Sequence, residues 1–268
     1  MYFKEIAEDN VHGSETLTVE LVKSCLNAFL RGIDFSKDLE YIKNKKSEMV
    51  QLINIINLIS KFDTEEQYRN LLRDLNKSAK NSVLNTKNIL KGNIVTISWS
   101  KLVEEAIMLN KDNIDEINVL ESRPKNEGSK FAEYLSDSGF KVKLYVDAAI
   151  YHAVNEESTI LVGMDAIFQD LSITNKIGTY SLALASVAKG SKFYTIGTKY
   201  KIARYYYHFI NHPFREIYKK NLNTQNYYFD ITTSKFIDKY IMDFGIFDKL
   251  NLNALRDILS SSVKNLLK

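Results

Sequence analysis

Gly163-Met164-Asp165-Ala166 sets a carboxylate just past an apolar run at residues 159–162, and ten residues after Asp165 the stretch Asn175-Lys176-Ile177-Gly178-Thr179-Tyr180 brings an amide and an ammonium to the start of an apolar helical pattern. An acid and a base at one edge of a sheet suit a ligand with both hydroxyls and an anionic group, such as a phosphorylated sugar or a nucleotide. The donors at a helix N-terminus favour the anion. Other polar residues also directly follow apolar runs: Ser98 after Ile97, Glu121 and Arg123 after Leu120, Asp147 after Val146, and Lys199 and Lys201 after Ile196. In a parallel sheet such positions gather at the carboxyl ends of the strands, where ligands bind.

Each candidate has a plainer reading beside the functional one. Asp165 faces a ligand or caps a turn. Asn175 and Lys176 bind phosphate and ribose, or serve as an N-cap and a solvated lysine. Gly178 permits a close backbone approach or tight helix–strand packing. Arg123 grips a phosphate or pairs with Glu121 or Glu127. Lys201 reaches the pocket rim or stays in solvent, and Ser98 meets a ligand oxygen or caps the following helix. Asp147 reads as the cap of a short helix beginning at Ala148, and Cys25 as a small buried hydrophobe. His208 and His212 have the i, i+4 spacing of metal ligands, but no acidic partner is nearby and Pro213 follows directly, so no metal is expected.

The elements that must position these groups are visible in the pattern. Apolar residues recur at helical spacing through Leu17, Leu21, Val22, Cys25, Leu26 and Phe29, again through residues 49–59, and again through residues 71–90, which predicts three or four antiparallel helices. After Gly92 short β-branched runs alternate with helical stretches. Strands are expected at 93–97, 114–120, 141–146, 159–162 and 192–196, with a late one at 227–231. Helices are expected at 102–109, 127–138, 148–154, 177–188, 234–242 and 252–267. This order predicts an α/β protein: an N-terminal helical bundle at 1–91, then a Rossmann-like parallel sheet with helices on both faces at 92–268. The 268 residues are 45% hydrophobic and balance 36 basic against 33 acidic side chains, which demands neither nucleic acid nor membrane. One cysteine excludes internal disulfides and cysteine zinc clusters. A charged N-terminus and short apolar runs point to a cytoplasmic protein.

In order, Glu121-Ser122-Arg123-Pro124, Glu127-Gly128, Val146-Asp147-Ala148-Ala149, Gly163-Met164-Asp165-Ala166 and Asn175-Lys176-Ile177-Gly178-Thr179-Tyr180-Ser181-Leu182-Ala183-Leu184-Ala185 form a series that resembles the family of the alpha, beta and delta subunits of translation initiation factor 2B. That family also contains methylthioribose-1-phosphate isomerase and archaeal ribose-1,5-bisphosphate isomerase. Tyr200-Lys201 and Phe229-Asp230-Ile231-Thr232 match further elements, with Thr233 where proline is usual. The resemblance covers residues 92–245 and extends weakly to Val11-His12-Gly13-Ser14. It implies a helical domain followed by a Rossmann-like domain, usually dimeric. In the isomerases it implies a Cys and an Asp sharing the proton work that turns a ring-closed aldose phosphate into a ketose phosphate, and the Asp matches Asp165.

Two departures stand out. Ser98, in Thr96-Ile97-Ser98-Trp99-Ser100, occupies the place of the isomerases' cysteine. His12-Gly13-Ser14 occupies the place of an Arg-Gly-Ala phosphate segment and lacks the arginine. A thiol with a pKa near ~8.5 exchanges protons near neutrality, whereas a hydroxyl needs an adjacent strong base. Archaeal factor-2B-like members also carry serine there. The expectation is therefore a non-catalytic, factor-2B-like regulatory subunit that retains a sugar-phosphate or nucleotide pocket. Its ligand-binding residues are Arg123, Asp165, Asn175, Lys176, Gly178 and Lys201, with Asp165 and Ser98 as residual catalytic candidates and no cofactor. The alternative is an isomerase using Asp165. Expected partners are a second copy, docked through the C-terminal domain with help from Arg204-Tyr205-Tyr206-Tyr207, and a subunit of initiation factor 2.

Overall fold

The computed structural model describes residues 2–9, 12–203, 210, 212–213, 216–218, 220 and 222–266. The N-terminal part holds five helices: α1 (Tyr2–Glu8), α2 (Ser14–Leu30), α3 (Ser36–Lys45), α4 (Val50–Ile59) and α5 (Glu65–Leu84). Helix α2 buries Leu17, Thr18, Leu21, Val22, Cys25 and Ala28 on one stripe, as the 3.6-residue period requires. Helix α4 is buried along nearly its whole length, from Val50 to Ile56 and at Ile59, so it runs through the middle of the bundle. Gln67 accepts the N–H of Thr64 at 2.9 Å and closes the start of α5. The periodicity had predicted three or four helices. Helices α1 and α3 escape it because they are short and each buries only two or three apolar residues, Phe3, Ile6 and Ala7 in α1, Leu39 and Ile42 in α3.

The rest is built on a seven-stranded sheet. Its strands are β1 (Gly92–Ile97), β2 (Ile114–Leu120), β3 (Val142–Tyr145), β4 (Thr159–Gly163), β7 (Lys192–Ile196), β9 (Lys239–Met242) and β10 (Gly245–Asp248), in spatial order β10-β9-β7-β4-β1-β2-β3. Every pairing is parallel except β9 with β10. The strand order reverses direction between β1 and β4, so the switch point lies at their carboxyl ends, beside Ser98 and Gly163. One face carries α6 (Lys101–Leu109) and α7 (Glu127–Asp137), which pack with Val83 of α5 against Ile94, Val119, Leu161 and Tyr194. The other carries α8 (Ile150–Ala153), α9 (Thr179–Lys189) and α10 (Leu252–Leu266) against Val95, Ile97, Ile160 and Val162. Both faces are covered, which is why the central strands read as unbroken apolar runs. No described helix is long and apolar enough to cross a membrane.

Three expectations change. Residues 173–176 form strand β6 (Ile173–Lys176) rather than leading into a helix, and α9 begins at Thr179. The late strand is β8 (Phe229–Thr232), but it joins β5 (Ala166–Ile167) and β6 in a separate antiparallel sheet of order β5-β6-β8. Residues 234–242 are no helix: a 3-10 turn at Ser234–Phe236 leads into β9, which pairs in parallel with β7. Four-residue segments of this kind carry too little periodicity to identify themselves, and their partner strands decide them. Arg204-Tyr205-Tyr206-Tyr207 and His208 lie outside the described residues.

Polar side chains of the helical part hold the sheet from one edge. Asn54 donates from one amide nitrogen to the carbonyls of Tyr200 (2.8 Å) and Ile202 (2.9 Å). Ser82 donates to Gly197 O at 2.8 Å and Asn85 to Met242 O at 2.8 Å. At the opposite edge of the site α7 leans on the end of β2 so closely that a Cβ on Gly128 would stand 1.8 Å from Leu120 O. Gly128→Ala should therefore cost at least about 3 kcal/mol in urea unfolding. Gly190→Ala, in open space at φ +71°, should cost only about 1 kcal/mol.

Candidate functional site

A cavity of about 500 Å³ opens where the helical part meets the carboxyl ends of β1 and β4. Ser98, Asp165, Asn175, Lys176 and Lys201, all singled out from sequence, line it together. Arg123 and Gly178 do not. Arg123 is exposed, and its backbone N–H goes to Asp147 Oδ2 at 2.7 Å. Asp147 also accepts the Ser122 N–H at 2.9 Å, so it ties down the β2–α7 loop instead of capping the short helix that follows it.

The N-terminus of α9 is closed by the protein itself. Asp230 Oδ2, from β8, accepts the N–H groups of Gly178 (2.8 Å) and Tyr180 (3.1 Å). Burial still raises the Asp230 carboxyl to about 6, against the pull of those two donors. A Cβ on Gly178 would meet Ile97 Cδ1 at 2.9 Å, so this glycine serves packing. Asn175 is not an N-cap: its Nδ2 donates to Thr179 Oγ1 at 3.1 Å and pins the turn between β6 and α9. The helix whose N-terminus does face the cavity is α2. It starts at Gly13 with no side-chain cap, and its first intrahelical bond is Leu17 N to Gly13 O, 3.2 Å. The N–H groups of Ser14, Glu15 and Thr16 precede that bond on residues lining the cavity.

Strand ends deliver the other groups. Ser98 sits in the left-handed region (φ 68°), takes Ser122 Oγ on its N–H at 2.7 Å and donates its own hydroxyl to Glu127 Oε1 at 2.9 Å. It does not cap α6, whose N-cap is Ser100. The same Glu127 oxygen holds Lys176 Nζ at 2.7 Å, with Lys176 almost fully buried. Trp99 is both core and wall: it stacks on Phe131 (5.5 Å, 20°) and donates its indole N–H to Glu104 at 2.7 Å. Tyr228 stacks on His212 at 3.5 Å, and His212 reaches Glu48 at 2.8 Å. Lys201, 3% exposed, pairs with Glu15 at 3.1 Å. Sequence reasoning missed Glu15, Glu48, Tyr228 and the pairing role of Glu127. The one available signal was Glu15 in the first turn of a strong helix, which reads equally as a dipole partner.

Of the carboxylates around the cavity, Glu15, Glu48, Glu104 and Glu127 each hold a partner. Among the described residues only the Asp165 side chain has none. Burial is the largest influence and pushes its carboxyl up to about 6; Lys201 and Lys176 pull it down, Glu15 and Glu48 push it further up. An acid of that kind can accept or give a proton near neutrality. The cavity thus joins unpaired helix N–H groups, several lysines and one uncommitted acid, a set suited to an anionic polyol.

The sequence matches the model of the initiation factor 2 subunit family over residues 11–249. A Pyrococcus horikoshii translation initiation factor eIF-2B subunit 2-like protein is 32% identical over 165 residues, 57% of this chain and 56% of its own length. The matched stretch thus spans little more than half of that relative. The ribose 1,5-bisphosphate isomerase of Archaeoglobus fulgidus is 26% identical over 230 residues, 77% of this chain and 74% of its own. The crystal structure of the translation initiation factor eIF-2B of Pyrococcus horikoshii OT3 superposes with a TM-score of 0.80 at 22% identity, covering 92% of this chain and 96% of that one.

The Asp165 charge is a burden on the fold. Its carboxyl is raised from the ordinary 3.8 to about 6 in the folded state, so the folded state binds the proton more tightly than the unfolded one. The contribution of Asp165 to stability is therefore greatest below pH ~4 and is lost as pH rises through 6. Asp165→Asn should stabilise the protein by up to about 3 kcal/mol at pH 7.5 and by nothing at pH 4, read from urea midpoints at the two pH values.

Proposed function

The chain belongs to the initiation factor 2 subunit family, and from that premise we propose that it is a non-catalytic, factor-2B-like regulatory subunit whose cavity binds a phosphorylated sugar or nucleotide. The observation that carries this reading is the state of Ser98. The hydroxyl that stands in place of the isomerases' thiol is donated to Glu127 Oε1, and that carboxylate oxygen already holds Lys176. A serine so placed has no free base to ionise it. Asp165 is then the sole member left of the proton-shuttling pair that the resemblance implies. Binding needs neither thiol nor base: the α2 N–H groups and the cavity-lining Lys46 and Lys176 suit a phosphoryl group, and Asn175 suits sugar hydroxyls.

The second reading is a sugar-phosphate isomerase. It is favoured by the uncommitted Asp165 and by the 26% identity to a ribose 1,5-bisphosphate isomerase over 77% of the chain. Both readings accommodate a homodimer formed through the C-terminal part. There Tyr151 of α8 and Leu184 and Val187 of the adjoining α9 are 53%, 46% and 60% exposed, apolar surface of the kind a second copy would cover. An initiation factor 2 subunit is the macromolecular partner in the regulatory reading.

Calorimetry with ribose 1,5-bisphosphate and methylthioribose 1-phosphate, run beside a product assay, separates the two. Saturable binding without turnover is expected. Turnover at enzyme-like rates, on the order of 1 s⁻¹ or faster, would overturn the regulatory reading. Ser98→Cys should restore measurable isomerisation if the rest of the cavity is intact, and binding of both compounds should survive that change.

A further inference from the structure

Four charged groups face Asp165, each from a different element: Lys176 from β6, Lys201 from the turn after β7, Glu15 from α2 and Glu48 from the turn between α3 and α4. All four are engaged by groups other than Asp165 in ways the fold explains. Glu127 holds Lys176 at 2.7 Å, and His212 meets Glu48 at 2.8 Å. Lys201 Nζ goes to Glu15 Oε1 at 3.1 Å, across the junction between the helical and sheet parts. Glu15 is itself aimed: its second oxygen accepts Gln51 Nε2 at 3.0 Å, and Gln51 is fully buried on α4. The backbone on both sides of Lys201 is gripped by Asn54. Neither partner of the ion pair is free to drift, and Lys201 is too deeply buried to turn to solvent.

We propose that Glu15 is a positioning residue for Asp165: it keeps the Lys201 ammonium on the helical side of the cavity, so that Asp165 stays unpaired and meets the ligand's anionic group as a neutral, hydrogen-bond-donating acid. This rests on the reading of the cavity as an anion site. A carboxylate beside a phosphoryl group would repel it, whereas a protonated carboxyl donates to it. Ligand binding near neutral pH then takes up a proton at Asp165. The burial that raises this carboxyl acts in the same direction as Glu15, and loss of Glu15 both removes a negative charge and releases a cation toward Asp165.

The test is a carbon-13 carboxyl titration of Asp165 in the ligand-free full chain. Glu15→Gln should lower its midpoint by about one pH unit or more, while Glu20→Gln, on the exposed side of the same helix, should leave it in place. Lys201→Met should raise it, and this variant carries the test if Glu15→Gln, with its stranded lysine, does not fold. An unchanged midpoint in Glu15→Gln, or an unchanged or lowered one in Lys201→Met, overturns the proposal. Calorimetry with ribose 5-phosphate in two buffers of different ionisation enthalpy then reads proton uptake at pH 7. The wild type should take up more than Asp165→Asn, which reports only the phosphate's own titration, and Glu15→Gln should match Asp165→Asn; wild-type uptake retained in Glu15→Gln overturns the proposal. If the midpoints move as expected but ribose 5-phosphate fails to bind, the role of Glu15 stands and the anion-site reading falls.

Discussion

Asn54 spends one amide nitrogen on two carbonyls, Tyr200 O and Ile202 O, at 2.8 and 2.9 Å. Both acceptors flank Lys201, so a side chain of the helical bundle sets where a cation from the turn after β7 projects. Asn54 is 4% exposed, and burying those carbonyls without a donor would be strongly unfavourable. The cavity depends on this contact because its walls come from both parts of the chain: α2 and the α3–α4 turn on one side, the ends of β1, β4 and β6 on the other. Ser82 of α5 and Asn85, which caps that helix, repeat the device further along the same edge. A hydrophobic contact would hold the halves together but tolerate sliding. Hydrogen bonds to fixed carbonyls resist it, since they weaken steeply as the donor moves out of line.

Within that frame the charges are distributed unevenly. The buried or half-buried ions of the wall are matched in pairs, Lys176 with Glu127, Lys201 with Glu15, and His212 with Glu48. Asp165 is left over and carries the raised carboxyl. Such a group weakens the folded state and would be replaced readily if stability alone mattered. A perturbed acid in a cleft, surrounded by ion-paired neighbours, is instead what a site for a polar ligand requires. The same logic separates Asp165 from Asp230, which is also raised to about 6 but is occupied with the first turn of α9.

The architecture was largely legible in the residues. Runs of β-branched and aliphatic residues alternating with 3.6-period stretches can satisfy their backbone and bury both sheet faces in few ways, and the doubly wound arrangement is one of them. The stretches that misled were short or polar. Ile173-Thr174-Asn175-Lys176 and Lys239-Tyr240-Ile241-Met242 are strands because β8 and β7 lie alongside them, and no local preference of four residues can compete with a ladder of hydrogen bonds. Helix α3, with Leu39 and Ile42 as its only buried residues, depends on what it packs against in the same way.

For the site, residue type and position after a strand were enough to place Ser98, Asp165 and Lys201 at one cavity, because a parallel sheet must bring its carboxyl ends together whatever its side chains do; Asn175 and Lys176 reach that cavity from β6 of the separate antiparallel sheet. The partners were beyond reach of the sequence. Nothing local distinguishes Arg123, which faces outward, from Lys176, which is buried against Glu127; nor does it show that Asp230 would close α9 while α2 opens into the cavity. Those choices join residues far apart in the chain, such as Glu15 with Lys201. They were made by packing the helical bundle against the sheet, where Lys176, Lys201 and His212 found their carboxylates in three dimensions and, among the described carboxylates around the cavity, Asp165 was left without a partner.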